Sequence, residues 1–522
     1  MLLVAALSIA LNYVAEFNSL DDELYTNAIP NAAAGEFLRS NVPEFCCPDK
    51  QLERIYYFRW WTYRKHLRRA PADEWVVSEF LPDVSWSGYG NTISCPLVHH
   101  VREGRWLRDR RFVDSYLKTM VEKGTIVGRG AYANCPARLF LDLALVTGDD
   151  SEALRLLDRL ASNYEKWERG WDATSLSGRH VSSRRPFTPV PLRAGFRPER
   201  GLFDLAGDRE GSEFALSEDG ARPMVNSMMW AEASAIAELA RRRGDMDLSV
   251  RFAKKAESLA EAVRTRLWNE RRGFFTVLAA DGKQDDVCEL HGYAPFYFEM
   301  PLAPECDRAF AMLTDEKGFL APLGLTFPRR DTPGFRVGVD IEGHECLWCG
   351  PSWPYATSVA LTAFANRLHA RARTHAEAAS FRMLLRQYAA QHRLRKEDGT
   401  EVPWIDEDAD PFTGDWLARR MLLMRAPRGA RFPERGKDYN HSTFCDIVIS
   451  GLVGFRPAAY GSFTVDPLAD PAWDAWSLRG VRWRGHDVDI AWKSGDGLSV
   501  SIDGRVAARR ADIGLLTCRI DQ

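Results

Sequence analysis

The stretch VTGDDSE, residues 146–152, lies between two segments whose apolar residues recur at helical spacing, 134–147 and 151–168. A glycine just past the last periodic residue ends a helix, because it takes the left-handed backbone without strain. The acidic residues after it cap the next helix. RRGDMDL, residues 242–248, repeats this chemistry between 224–243 and 246–268. Such turns predict antiparallel helical hairpins. Helical periodicity also marks 50–68, 92–107, 110–123, 304–314, 353–371, 375–395, 415–425 and 441–452. Successive pairs of this kind predict a mainly α fold, a closed (α/α)6 toroid of hairpins. No repeat of fixed period points to a solenoid.

After about residue 453 the pattern changes. WSLRGVRWRGHDVDIAWK (476–493) alternates apolar and polar residues around glycine and aspartate turns, the signature of antiparallel strands. The expected organisation is a helical domain over 1–452, with a loop insertion at about 170–222, and a small C-terminal antiparallel β-domain over 453–522.

The chain has 522 residues, 45% hydrophobic, with a net charge of -3. That balance gives no electrostatic footprint for nucleic acid or an anionic membrane. The N-terminal MLLVAALSIALNYVAEF lacks a basic leader, and its apolar residues keep helical spacing through Phe17. It therefore reads as a first amphipathic helix rather than a signal peptide. No later stretch is long and apolar enough to span a bilayer. A soluble protein is expected, with the cytoplasm favoured over the periplasm or secretion. Ten cysteines form no metal pattern: Cys346 and Cys349 make one C-x-x-C without a second pair. No cofactor is expected.

The long stretches between helices, 80–91, 124–133, 170–222, 318–352 and 400–414, are rich in Trp, Gly and acids. Long loops of such composition usually carry function. Residues 176–200, basic and proline-rich, read as an extended flap. Many of the seventeen tryptophans fall in these loops, where they offer the flat apolar walls on which sugar rings stack.

Two acid clusters stand out. WIDEDADPFTGDW (404–416) holds Asp406, Glu407, Asp408, Asp410 and Asp415 between two tryptophans. Asp415 reads as the cap of the helix after it, and Asp410, before Pro411, as a turn initiator. Glu407 has no such structural role. The second cluster, residues 207–219, holds Asp208, Glu210, Glu213, Glu218 and Asp219, ahead of Asn226. Two carboxyls on loops among tryptophans suit hydrolysis of a glycosidic bond: one stays protonated to serve the leaving oxygen, the other ionised.

Several blocks together resemble the bacterial glycoside hydrolases related to mannosylglycerate hydrolase, processing α-glucosidase I and, more remotely, trehalase. They are YYFRWWTYRKH (56–66), EFLPDVSWSGYGNTISC (79–95), HHVREGRWLRD (99–109), RPMVNSMMWAEA (222–233), CLWCGPSWPYATS (346–358), the 404–416 cluster and DYNHSTFCDIVIS (438–450). The resemblance implies the toroid, an inverting mechanism and an oligosaccharide or glycoside substrate of α-linked gluco- or manno-configuration, cut from its end. It makes Glu407 the general base, four residues before the proline of Pro411-x-Thr413-Gly414. It makes Glu213 the general acid where the family carries Asp, with Asp208 as the alternative. Trp60, Trp61, Trp86, Trp348 and Trp353 are the implied stacking faces. Arg59, Arg64, Asn91, Tyr132, Arg222, Asn226 and His441 are the implied hydroxyl contacts. His99 and His100 point about 100° apart on a helix and read as structural. A polysaccharide lyase and a non-catalytic carbohydrate-binding protein remain the other readings; a lyase calls for a basic cleft, whereas these loops are acidic.

Overall fold

The computed structural model describes residues 2–175, 190–338, 344–425 and 434–520. The N-terminal segment is a helix, α1 (Leu2–Leu20), which packs Phe17 against Phe58 and Trp61. After α2 (Ala34–Asn41) comes α3 (Lys50–Lys65), started by Asp49, whose side chain accepts from the amide of Leu52. Burial runs all the way round α3, from Ile55 through Tyr56, Phe58, Trp60 and Trp61 to Arg64.

The helical body follows as pairs: α4 (Leu97–Gly104) with α5 (Arg111–Lys123), α6 (Pro136–Thr147) with α7 (Ser151–Arg169), and α8 (Pro223–Arg243) with α9 (Met246–Arg266). A short α10 (Ala294–Tyr297) precedes a 3-10 run at Pro304–Leu313. Then come α11 (Pro354–Ala370) with α12 (His375–Gln391), and α13 (Leu417–Arg425). The two hairpin turns are as expected: Gly148 (φ 77°) and Gly244 (φ 84°) sit in the left-handed region. Asp245 caps α9 through the amide of Leu248, whereas at the first turn Asp149 accepts from Ser151.

A second set of contacts runs between pairs. α4 packs on α6, α6 on α8, α8 on α10, α10 on α11, and α11 on a π-helix at Ile447–Leu452. α3 packs on α12. α8 and α11 are buried over nearly their whole length.

Some segments depart from the periodicity reading. The helix expected at 92–107 is confined to Leu97–Gly104, since the chain is extended at Thr92 and Pro96 disfavours helical backbone at the residue before it. The segment 441–444 is irregular, and the helix after it is of the wider π form. The stretch 170–222 contributes strands Trp171–Ser175, Val190–Arg197, Leu202–Leu205 and Gly220–Ala221, which join Leu278–Ala279 in a five-stranded antiparallel sheet. Of the expected flap, 176–189 lies outside the described residues.

Beyond 453 the chain is β, in two antiparallel sheets. Strands Phe455–Ala458, Ser462–Val465 and Leu516–Arg519 make one. Ala475–Trp483, His486–Lys493, Gly497–Ile502 and Arg505–Arg510 make the other, whose edge is completed by Glu44–Cys46 from before α3, with Glu44 opposite Arg479. Trp483 is fully buried, and its indole donates to the carbonyl of Leu145 at the end of α6. Among the described residues no helix is long and apolar enough to cross a membrane.

Candidate active site

The loops that enter α4, α6, α8, α11 and the π-helix meet around a cavity of about 240 Å³. Glu213, Asp208, Tyr132, Trp86, Trp348, Trp353 and His441 all line it. Trp348 and Trp353 stack on each other, 4.0 Å apart and nearly parallel, as one wall. Trp86, half exposed, forms the rim with the Arg435 guanidinium over its ring.

Glu213 sits in the loop between Gly207 and Ser217, tied down by several bonds. The amide of Trp348 donates to its carbonyl at 3.0 Å, joining this loop to the tryptophan wall. Gly211 (φ 72°) passes so close to Cys95 that an added Cβ would meet its sulfur at 2.5 Å. The Glu213 carboxyl faces the cavity yet is surrounded by protein. That burial, helped by the charges of Asp208, Glu407 and Glu79, pushes its pKa up to about 8. Burial lifts Asp208 to about 6, with Arg209 opposing.

Glu407 is fully buried and does not itself line the cavity, which it meets through Cys346. The Cys346 thiol, which lines the cavity, donates to its Oε2 at 3.0 Å. Arg435 approaches Oε1 to 3.8 Å, and that oxygen has no hydrogen-bond partner among the described residues. Burial raises the carboxyl, while Arg435 and the thiol hold it down. Its two neighbours are buried as well. Burial and the Glu407 charge lift Asp406 to about 7 and Asp408 well above the carboxylate range. Asp410 does initiate the turn, accepting from the amides of Phe412 and Thr413. The cap of α13 is a correction: Asp408, not Asp415, accepts from the amide of Ala418 at 3.0 Å.

Seven of the expected sugar contacts lie elsewhere. Arg59 is buried on Ser442 and His392. Trp60 is enclosed in the core by Tyr56 and Tyr63. Trp61 lines a separate cavity and bonds Asn18. Arg64 donates to the Ile29 carbonyl and to Asn31. Asn91 folds the 80–91 loop by accepting from Val84 and donating to Pro82. Arg222 clamps the Glu213 loop through Glu210, Ser217 and the Glu218 carbonyl. Asn226 pairs both ways with the backbone of Phe203. None of the seven lines the cavity, and they position loops or fill the core instead.

Residues that the sequence did not assign to the site also line it: Glu79, Arg209, Glu345, Cys346, Tyr355, Arg435 and Tyr439. Glu79 accepts the Tyr439 hydroxyl proton, and burial lifts its pKa to about 8. Glu79, Cys346 and Tyr439 belong to the blocks 79–95, 346–358 and 438–450, which carried the signal without distinguishing these positions. The described residues contain no cluster of His, Cys, Asp and Glu able to hold a metal ion, and all ten cysteines are free thiols.

The cavity thus brings the carboxyls of Asp208 and Glu213 beside an aromatic wall. Residues 89–442 match the model of the mannosylglycerate hydrolase MGH1-like glycoside hydrolase domain, and the chain belongs to this family. Among solved structures, one titled as a sialidase superposes over 97% of this chain with a TM-score of 0.83 and 31% identity. A GH78 rhamnosidase of Bacillus sp. GL1 covers 88% at a TM-score of 0.54 and 13% identity. An α-L-rhamnosidase of Dictyoglomus thermophilum covers 92% at 0.51 and 10%. This chain spans only 44%, 41% and 49% of those three chains respectively. No curated protein matches it.

Proposed function

We propose that the protein is an inverting, exo-acting glycoside hydrolase acting on a neutral α-linked gluco- or manno-configured sugar. Glu213 is its general acid and Glu407 its general base. The observation that carries this reading is the placement of Glu213, a partly exposed carboxyl lining the cavity with Trp348 and Trp353, whose pKa is lifted to about 8. Such a group gives its proton to a glycosidic oxygen at neutral pH. Glu407 is the carboxyl that Arg435 draws towards its ionised form against the burial that lifts it, and its unpartnered Oε1 is the atom that takes the proton of the attacking water. Inversion requires about 6.5–9.5 Å between the two carboxyls, leaving room for that water. The small cavity, with Trp86 at its rim, favours one terminal ring over a chain passing through.

The same reading treats the helices as an (α/α)6 toroid over 1–452, followed by a β-domain over 453–522. The contacts running from α4 through α6, α8, α10 and α11 to the π-helix support an inner ring. It closes where Glu103 of α4 accepts from the amides of Phe444, Cys445 and Asp446. A neutral substrate is favoured because Glu79, Asp208, Glu213 and Glu345 surround the cavity, and Arg435 is already bonded to Glu345. The sialidase-titled chain is more than twice as long, so the activity its title names has room to reside in its remainder.

The test is hydrolysis of α-linked disaccharides and of aryl α-glucoside, α-mannoside and α-L-rhamnoside, following the product anomer by NMR. Turnover to the inverted anomer, abolished in Glu407→Gln and strongly reduced on disaccharides in Glu213→Gln, is expected. Retention of configuration overturns the mechanism. Sugar binding without turnover on the whole panel leaves a carbohydrate-binding protein.

A further inference from the structure

The Cys346–Cys349 pair remains after metal and disulfide are set aside, and the two thiols differ. Cys349 is buried and its thiol donates to the Arg336 carbonyl. Cys346 lies on the cavity wall, and its thiol points at the carboxyl assigned as the base.

We infer that Cys346 is a positioning residue for catalysis: its thiol holds Oε2 of Glu407, turning the carboxylate so that Oε1 is left to receive the proton of the attacking water. The inference rests on the assignment of Glu407 as base. Three observations converge on it. The Sγ to Oε2 distance is 3.0 Å, well inside hydrogen-bonding range for sulfur. Cys346 supplies the hydrogen bond to the Glu407 carboxylate among the described residues, since Oε1 has none and Arg435 stands off at 3.8 Å. The thiol itself stays protonated, and therefore a donor, because burial and the charges of Glu407 and Glu213 push its pKa well up. The loop that carries it is anchored on both sides. The amide of Cys346 donates to His344 Nδ1, and that of Trp348 donates to the Glu213 carbonyl, so one loop ties the base to the acid.

A buried carboxylate with one oxygen fixed and the other unpartnered is a directed base; with neither oxygen fixed it swings and prefers to be protonated. Other groups act on the same carboxyl. Arg435 and His344 favour its ionised form, and Glu345 opposes it. Asp406, Asp408, Glu213 and Glu79 each feel its charge in return. The thiol is the member of this set that both stabilises the anion and fixes its orientation.

The test compares Cys346→Ala and Cys346→Ser on the aryl glycoside that the parent enzyme turns over. With the donor removed, kcat falls about tenfold or more while KM stays within about twofold. The acid limb of kcat/KM moves to higher pH, since the base then holds its proton more tightly. Serine, which keeps a donor in nearly the same place, restores kcat and returns the limb to or below its parental position. A Cys346→Ala enzyme with parental kcat and acid limb overturns the inference. So does a folded Cys346→Ser enzyme as inactive as Cys346→Ala, and this arm stands even if the alanine variant fails to fold. Glu407→Gln separates the two claims. If it retains turnover, the base assignment falls and this inference with it. If it is dead while Cys346→Ala is unimpaired, only the positioning role falls.

Discussion

A carboxyl can serve as a general acid only if it still holds a proton where the enzyme works, and two candidates in this cavity differ on that point. Burial brings Glu213 to about 8 and Asp208 to about 6. The basic limb of kcat/KM therefore identifies the donor: it falls near pH 8 for Glu213 and near pH 6 for Asp208. The leaving group gives a second handle. A sugar hydroxyl is a poor leaving group and needs the proton, whereas an acidic phenol departs without it. Glu213→Gln is expected to lose about 10²–10⁴-fold in kcat/KM on a disaccharide. On an aryl glycoside with an acidic phenol the loss is expected to be roughly tenfold or less, and the limb near pH 8 disappears. Equal losses on both substrates would remove Glu213 from the role and leave Asp208 to be tested by Asp208→Asn. The loops of Glu407 and Glu213 stood out in the sequence by their acid clusters, while the roles of the two residues came from the family resemblance. Glu79 did not stand out, since nothing in EFLPDV announces that the fold brings its carboxyl to Tyr439 across about 360 positions of chain.

At the scale of elements, the cavity depends on how the irregular segment 434–444 is held before the π-helix. Three successive amides there, of Phe444, Cys445 and Asp446, point at the buried carboxylate of Glu103 on α4. Asp446 reciprocates, accepting from Arg105 and from the indole of Trp106. An anion at a helix N-terminus satisfies orphan donors and complements the dipole. Because Arg435, Tyr439 and His441 precede this lock, loosening it moves cavity residues. Glu103→Ala strands three buried N–H groups and is expected to cost about 3 kcal/mol or more. Glu103→Gln, which keeps one acceptor oxygen, is expected to cost about half of that. Chemical denaturation midpoints measure both, and an alanine variant as stable as the parent would remove Glu103 from this role. Such a lock is invisible to periodicity, which reads 441–452 as one ordinary helix. The Gly148 and Gly244 turns were readable because their chemistry is local: a positive φ calls for glycine. The errors on α3 have the opposite cause. A helix buried all round has no polar face to fix its phase, so Arg59, Trp60, Trp61 and Arg64 could not be sorted into cavity and core. Asp408 capping α13 failed to register for a related reason, since the cap is reached across a tight turn rather than from the residue next to the helix.

For the whole molecule, the separation of polar loops from helical body was readable, while the sheet edge that Glu44–Cys46 adds to the C-terminal strands was not, because strand pairing across the chain leaves no local trace. The same enclosure that makes the active site also makes stability depend on pH, with a sign that can be worked out. Burial is the largest cause lifting Glu79, Glu213 and Glu232 to about 8, against about 4.3 for glutamate in an unfolded chain. Between those values the folded protein holds protons that the unfolded chain has released, so each group loses stability as pH rises, until its folded pKa is passed. Buried histidines act the other way below about 6.5. His66, His99, His392 and His441 are held neutral by burial, well below their usual range, so acidification favours the unfolded chain. Carboxylates with depressed pKa, such as Asp142 at about 2, lose their contribution only in stronger acid. Stability is therefore expected to peak near pH 6–7 and to decline towards pH 8, where the lifted glutamates govern. Glu232 isolates the effect. It lies outside the cavity, where its carboxyl accepts from the amides of Ala137 and Arg138 at the start of α6. From pH 6.5 to 8 one such group accounts for about 2 kcal/mol. Glu232→Gln, which cannot ionise and keeps an acceptor oxygen, should flatten the decline by about that amount. Thermal midpoints of parent and variant across pH 6 to 9 measure it. Parallel curves for the two proteins would mean that Glu232 does not hold its proton in the folded state.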